Sequence, residues 1–152
     1  MSENHDILLI GCGNPLRRDD GVGWRAAQWF EENADKRPIH IITCHQLTPD
    51  LAEDLSRVRL VIFVDAREGS RPGRLSCDEV RPLPLESTAF THDLSPSQLL
   101  AYAEILYKKS PKAFLVTIEG EDYRFGESFS EKVASQIPAM IRLIENLLDQ
   151  SL

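Results

Sequence analysis

Two uninterrupted apolar runs, Ile7-Leu8-Leu9-Ile10 and Leu60-Val61-Ile62-Phe63-Val64, constrain the fold of this chain more than any other feature. Strand-length runs that do not alternate with polar residues are expected where a strand is buried on both faces, as in a parallel sheet covered by helices. The intervening sequence switches to helical period. From Val22 onward, Val22, Ala26, Trp29 and Phe30 fall at i, i+4, i+7 and i+8 and form one stripe. Ile39-His40-Ile41-Ile42-Thr43-Cys44 reads as the next strand. Thr48-Pro49-Asp50-Leu51 opens a short helix, with threonine at the N-cap and proline at N1.

After the run at residues 60–64, residues 69–80 are turn-rich, with an edge strand expected around 74–78, and Arg81-Pro82-Leu83-Pro84 is irregular. Ser95-Pro96-Ser97-Gln98 has the form of a capping box and starts a helix with the stripe Leu99, Ala103, Leu106 and Tyr107. A strand at 113–118 follows. The last helix carries Val133, Ile137, Met140, Ile141, Ile144, Leu147 and Leu148 on one face, with Pro138 bending it. Parallel neighbours need crossover connections, so the order β-α-β-α-β-(β)-α-β-α implies an α/β fold. The expected form is a three-layer sandwich, with a mainly parallel, twisted sheet of about five strands and helices on both faces. At 152 residues the chain is long enough for one core and too short for two, so residues 1–152 read as a single domain.

Composition narrows the partners. With 24 Asp and Glu against 17 Lys and Arg the net charge is −7, which argues against nucleic acid, since a phosphate backbone is bound by concentrated basic residues. No apolar run approaches the roughly 18 residues of a membrane span, so no membrane association is expected. Met1-Ser2-Glu3-Asn4-His5-Asp6 has neither a basic start nor an apolar core of the secretory type, and a cytoplasmic location is expected. Cys12, Cys44 and Cys77 are too widely spaced for a zinc ribbon or a C-x-x-C redox centre, and read as small buried hydrophobes.

In open α/β sheets the ligand crevice lies beyond the carboxyl ends of the strands, where strand order reverses. The residues just after the strands are therefore the candidates. The first strand leads into Gly11-Cys12-Gly13-Asn14-Pro15-Leu16-Arg17-Arg18-Asp19-Asp20-Gly21-Val22-Gly23, the third into Asp65, and the loop before the capping box contains Thr91-His92-Asp93. A dinucleotide site does not fit, because Leu16 stands where the third fingerprint glycine is needed and Cys44-His45 where a ribose-binding acid belongs. Walker A, G-x-S-x-G and H-E-x-x-H motifs are absent from the sequence. Two carboxylates and an imidazole suit a borderline divalent ion such as Ni²⁺ or Zn²⁺. Each has a plainer reading: Asp20 as a helix cap, His92 as a loop histidine. Asp65 is harder to explain that way, since a carboxylate after five apolar residues is costly unless paired or bound.

These residues also carry a family resemblance. Leu8-Leu9-Ile10-Gly11-Cys12-Gly13-Asn14-Pro15 with Asp19-Asp20-Gly21-Val22-Gly23, then Val61-Ile62-Phe63-Val64-Asp65-Ala66, then Thr91-His92-Asp93-Leu94-Ser95 resemble the hydrogenase maturation endopeptidases, in order and over essentially the whole chain. The resemblance implies a protease that removes the C-terminal extension of a [NiFe]-hydrogenase large-subunit precursor after nickel insertion. It implies no permanent cofactor: the nickel comes with the substrate, although a divalent metal in a crystal could occupy the same place. By position, Asp20, Asp65 and His92 would be the metal ligands, with Asp20 and Asp65 catalytic. Gly11, Gly13, Asn14, Gly21 and Gly23 would shape the loop that presents Asp20. Some members place the site histidine inside the capping-box helix, where this chain has Ser97; others have a Thr-His pair, matching Thr91-His92. Many members carry Asp-Gly-Gly after the second strand, where this chain has Cys44-His45-Gln46, so His45 is an additional candidate as ligand or substrate contact.

The implied chemistry is peptide hydrolysis, either through a metal that polarises the carbonyl or activates water, or through a carboxylate as general base in the aspartic-type manner. Two rival readings stand beside it: a nickel-binding assembly chaperone without enzymatic activity that uses the same three ligands, and a cysteine hydrolase built on Cys12 or Cys44 with His45. A flavodoxin-like module binding a small ligand at the Gly11–Gly13 turn is the structural fallback.

Overall fold

The apolar runs become central strands because only there are both faces of a strand covered. In the computed structural model, which describes residues 6–33, 38–84 and 94–151, β1 (Ile7–Cys12) is buried throughout and β3 (Leu60–Arg67) is buried over its first five residues. With β2 (Ile39–Cys44), β4 (Leu75–Val80) and β5 (Lys112–Glu119) they form one sheet of order β2-β1-β3-β5-β4. All neighbours are parallel except the edge strand β4, which runs antiparallel to β5. The less apolar β2 and β4 take the edges, where one side of the ladder is left open.

The inward-facing residues divide by strand parity into two cores. On one face Leu9, Ile62, Val64, Val116 and Ile118 pack against α1 (Val22–Glu32) and α5 (Ile137–Gln150). On the other, Leu8, Ile10, Val61, Phe63 and Ala113 pack against α2 (Leu51–Ser56) and α3 (Pro96–Tyr107). The result is the expected three-layer α/β sandwich. The chain leaves β1 for β2 in one direction and reaches β3 in the other, so strand order reverses between β1 and β3. A crevice is expected at their carboxyl ends.

Several local expectations are corrected. Thr48 is not an N-cap: its carbonyl accepts the Leu51 N–H in a preceding turn, and Asp50 stands at the N-cap of α2 without a side-chain hydrogen bond. The α3 stripe ends early, because Leu106 and Tyr107 are exposed while Leu99, Leu100 and Ala103 face the core. Pro138 does not bend a continuous helix. The segment breaks at Ser135 and Gln136 between α4 (Glu131–Ala134) and α5, and proline occupies the first turn of α5, where its missing N–H costs nothing. The Ser95 capping box forms in full, with Ser95 Oγ accepting the Gln98 N–H at 3.2 Å and Gln98 Oε1 accepting the Ser95 N–H at 2.8 Å. Cys12 is buried as expected, but Cys44 is half-buried and Cys77 exposed. No helix among the described residues is long and apolar enough to cross a membrane.

Candidate active site

The glycine loop after β1 is held against the sheet by contacts that admit no side chain. Gly13 has φ +125°, and a Cβ there would run into the Asp20 carbonyl. Gly23, in the first turn of α1, lies against the carbonyls of Val64 and Cys12, so the helix start rests directly on the ends of β3 and β1. Gly11 faces Gly23 across this approach, and Gly21 forms the N-cap of α1. Between them, a 3-10 turn (Arg18–Gly21) carries the two aspartates.

The adjacent acids have different tasks. Asp19 is fully buried: its Oδ2 accepts the N–H groups of Glu121 and Asp122 and the Ser130 hydroxyl, and its Oδ1 accepts the Ser130 N–H, at 2.8–2.9 Å. It ties the loop after β5 to the start of α1. Asp20 instead turns back across the loop, where its Oδ2 accepts the Asn14 N–H at 2.9 Å. Asn14 Oδ1 accepts the Leu16 N–H at 2.9 Å, which fixes the turn that offers that N–H. Asp20 makes no capping bond to α1, so the helix-cap reading fails.

Asp65 lies within β3, which continues to Arg67, and not after the strand as its sequence position suggested. Its Oδ1 accepts the Ala66 N–H at 2.8 Å. Burial pushes its pKa up from 3.8 to about 7; the Ala66 N–H opposes this and the negative charge of Asp20 adds to it. Asp20 and Asp65 are thus brought to the predicted switch point and repel one another there. Cys12 stands one position beyond the last β1–β3 pair, Gly11 with Val64, and Asp65 is paired in register with Thr117 of β5. Cys44, Cys12, Asp65 and Thr117 therefore form a polar row across the carboxyl edge, above the apolar layer that contains Phe63 and Leu115.

His45 also reaches the crevice, lining one cavity with Cys12, Asp65 and Thr117. Its ring meets Trp24 edge-on at 5.6 Å, and Trp24 Nε1 donates to the Cys44 carbonyl at 3.1 Å. Trp24, unremarked in the sequence except as part of a helix, thereby sets the position of the β2 end. Cys12 and Cys44 are free thiols with sulfurs 3.5 Å apart. Their hydrogen bond, burial and the nearby carboxylates of Asp65 and Asp20 push the Cys12 thiol far up, unlike an activated nucleophile, while the same bond draws the Cys44 thiol down against its burial. His92 lies outside the described residues. Among the described residues no group of three or more His, Cys, Asp or Glu side chains is arranged to hold a metal ion; Asp20 and Asp65 are the pair of candidate ligands that the fold brings together.

The crevice lies on an α/β fold that this chain shares with solved hydrogenase maturation endopeptidases. The likeness is one of fold and extends over nearly the whole chain. The E. coli hydrogenase maturating endopeptidase HybD superimposes with a TM-score of 0.75 over 95% of this chain and 93% of that one, at 21% identity. The [NiFe] hydrogenase maturation protease HycI of Thermococcus kodakarensis gives a TM-score of 0.73 over the same shares, at 22% identity. A Methanocaldococcus jannaschii protein provisionally named a hydrogenase maturation protease is 24% identical over 147 residues, covering 91% of this chain and 94% of its own. No family model matches the chain.

Proposed function

We propose that this protein is an endopeptidase that removes the C-terminal extension of a nickel-loaded [NiFe]-hydrogenase large-subunit precursor. The observation that carries the proposal is the convergence of Asp20 and Asp65 at the β1–β3 switch point, where burial and mutual repulsion raise the Asp65 pKa to about 7. A carboxylate kept in such a place costs the fold stability at neutral pH unless a cation or a proton neutralises it. The whole-chain likeness to named maturation proteases supplies the reaction class.

In this reading the nickel belongs to the substrate and serves as its recognition mark. Asp20, held by the Asn14 N–H, and Asp65, held by the Ala66 N–H, offer oxygen ligands from the loop after β1 and from β3. His92 is the third ligand carried over from the resemblance, and His45 contacts the substrate from the β2 side. Docking of the precursor's nickel at the two carboxylates would bring its adjacent peptide to the sheet edge. With a pKa near 7, Asp65 is also suited to exchange a proton with an attacking water whenever it is not engaged as a ligand.

The test is incubation of nickel-loaded precursor with the wild type and with Asp20→Ala and Asp65→Ala, followed by mass spectrometry of the precursor. The wild type shortens the precursor. Each variant, with its circular dichroism unchanged, loses at least about a hundredfold in rate, the contribution expected of a group engaged in general acid–base or equivalent electrostatic catalysis. Binding of the precursor without shortening would instead identify an assembly chaperone.

A further inference from the structure

Going beyond the peptidase reading, we infer that Cys12 and Cys44 are a redox-active pair, which a small-molecule disulfide converts reversibly into a cross-strand disulfide at the root of the loop that carries Asp20. The two residues are the last of their strands and are partners in the parallel register of β1 and β2. Neighbouring strands lie about 4.8 Å apart, inside the range of roughly 4.4–6.8 Å found between the Cα atoms of bonded cysteines. The sulfurs already stand 3.5 Å apart in a hydrogen bond, so a bond of about 2.05 Å requires an approach of about 1.5 Å. Access differs between the two. Cys44 is half-buried at the end of an edge strand, whereas Cys12 is buried and lines the cavity beside Asp65. A reagent therefore meets Cys44 first, with Cys12 behind it as the resolving thiol. Cys77, exposed on β4 at the opposite edge of the sheet, is too distant to compete.

The chemistry is two successive thiol–disulfide exchanges. The Cys44 sulfur attacks the small-molecule disulfide, forms a mixed disulfide and releases one thiol. The Cys12 sulfur then attacks the Cys44 sulfur, closing the protein disulfide and releasing the second thiol. The two protons lost from Cys12 and Cys44 end on the released thiols; the protein gives up two electrons and the reagent takes both. A dithiol reductant runs the sequence backwards. The crosslink acts on the site through the backbone. Gly13 N–H donates to the Cys44 carbonyl at 3.1 Å, and the Asn14 N–H that holds the Asp20 carboxylate is only two residues past Cys12. Gly13 itself sits against the Asp20 carbonyl, so drawing the strand ends together displaces the support of Asp20.

The experiment treats the folded full-length chain, as wild type and as Cys77→Ser, with excess oxidised glutathione, then labels it with N-ethylmaleimide for intact-mass and peptide analysis. Reduced wild type should take up three maleimides, one for each cysteine. Oxidised Cys77→Ser should take up none, carry no glutathione, and yield the Cys12 and Cys44 peptides joined; dithiothreitol should restore both thiols. Glutathione retained on Cys44, two thiols still open to maleimide, or a bond between two chains overturns the pair. The consequence for the site rests on the proposed peptidase reading and is read separately, from the rate at which nickel-loaded precursor is shortened. Oxidation should slow the wild type at least about tenfold, since a misplacement of about 1 Å costs that or more, and dithiothreitol should restore the rate. The Cys12→Ala, Cys44→Ala double variant should work equally well before and after the oxidant. A crosslinked wild type of undiminished rate overturns the effect on Asp20. Failure of the reduced protein to shorten precursor overturns the peptidase reading, and the crosslink is still decided by the thiol count.

Discussion

Replacing Asp65 by asparagine should stabilise the protein in a pH-dependent way while removing its activity. The carboxyl is raised from 3.8 to about 7 in the folded chain, chiefly by burial. Below 3.8 both folded and unfolded chains hold the proton. Between 3.8 and about 7 the folded chain retains a proton that the unfolded chain has lost, so stability falls as pH rises through this window. Above 7 both are ionised and the full cost stands. At about 1.4 kcal/mol per pH unit, the difference between 3.8 and about 7 amounts to about 4 kcal/mol. Asparagine keeps an oxygen for the Ala66 N–H and has no charge to bury. Urea unfolding of both proteins from pH 4 to pH 8.5 should show near-equal stability at the acid end. The variant should gain progressively through pH 7, by up to about 4 kcal/mol. A difference between the proteins that does not change with pH, or a variant less stable than the wild type at pH 8, would refute the argument that the fold holds a destabilised carboxylate at the crevice. Such a residue is expected where function, and not packing, has selected it.

The neighbouring acids should separate cleanly. Asp19→Ala leaves the N–H groups of Glu121, Asp122 and Ser130 without their acceptor in a buried site and should cost about 3 kcal/mol in urea unfolding, whereas Asp20→Ala should change stability by less than about 1 kcal/mol. The double variant Cys12→Ala, Cys44→Ala should retain precursor processing, as the mass of the product will show; complete loss in a folded variant would restore the cysteine-hydrolase alternative.

Much of this arrangement was legible in the sequence because it depends on local composition. The runs at residues 7–10 and 60–64 carry no polar alternation, so they had to be central strands, and the glycine-rich segment after the first had to be a tight turn. Ser95 and Gln98 form a capping box within four residues of chain. Asp20 and Asp65 could be proposed as partners because the rule for parallel sheets sends both to the same edge. The local errors arose where a neighbour far away in sequence decides. Leu106 and Tyr107 continue the helical stripe in sequence, yet both are exposed.

By itself, then, the sequence determined the layer architecture, the edge at which chemistry could occur and two of its carboxylates. These follow from burial patterns and from the strand-to-loop boundaries that each segment carries within itself. Only the tertiary structure decided which of two consecutive aspartates is structural. Asp19 meets partners more than a hundred residues away, while Asp20 closes on Asn14 six residues back. It alone paired Cys12 with Cys44, set His45 against Trp24, and placed the unpartnered Thr117 hydroxyl beside Asp65. The physical reason is common to all four. Hydrogen-bond satisfaction, the desolvation of a charge and the shape of a cavity belong to the register between strands, and a linear pattern does not specify that register.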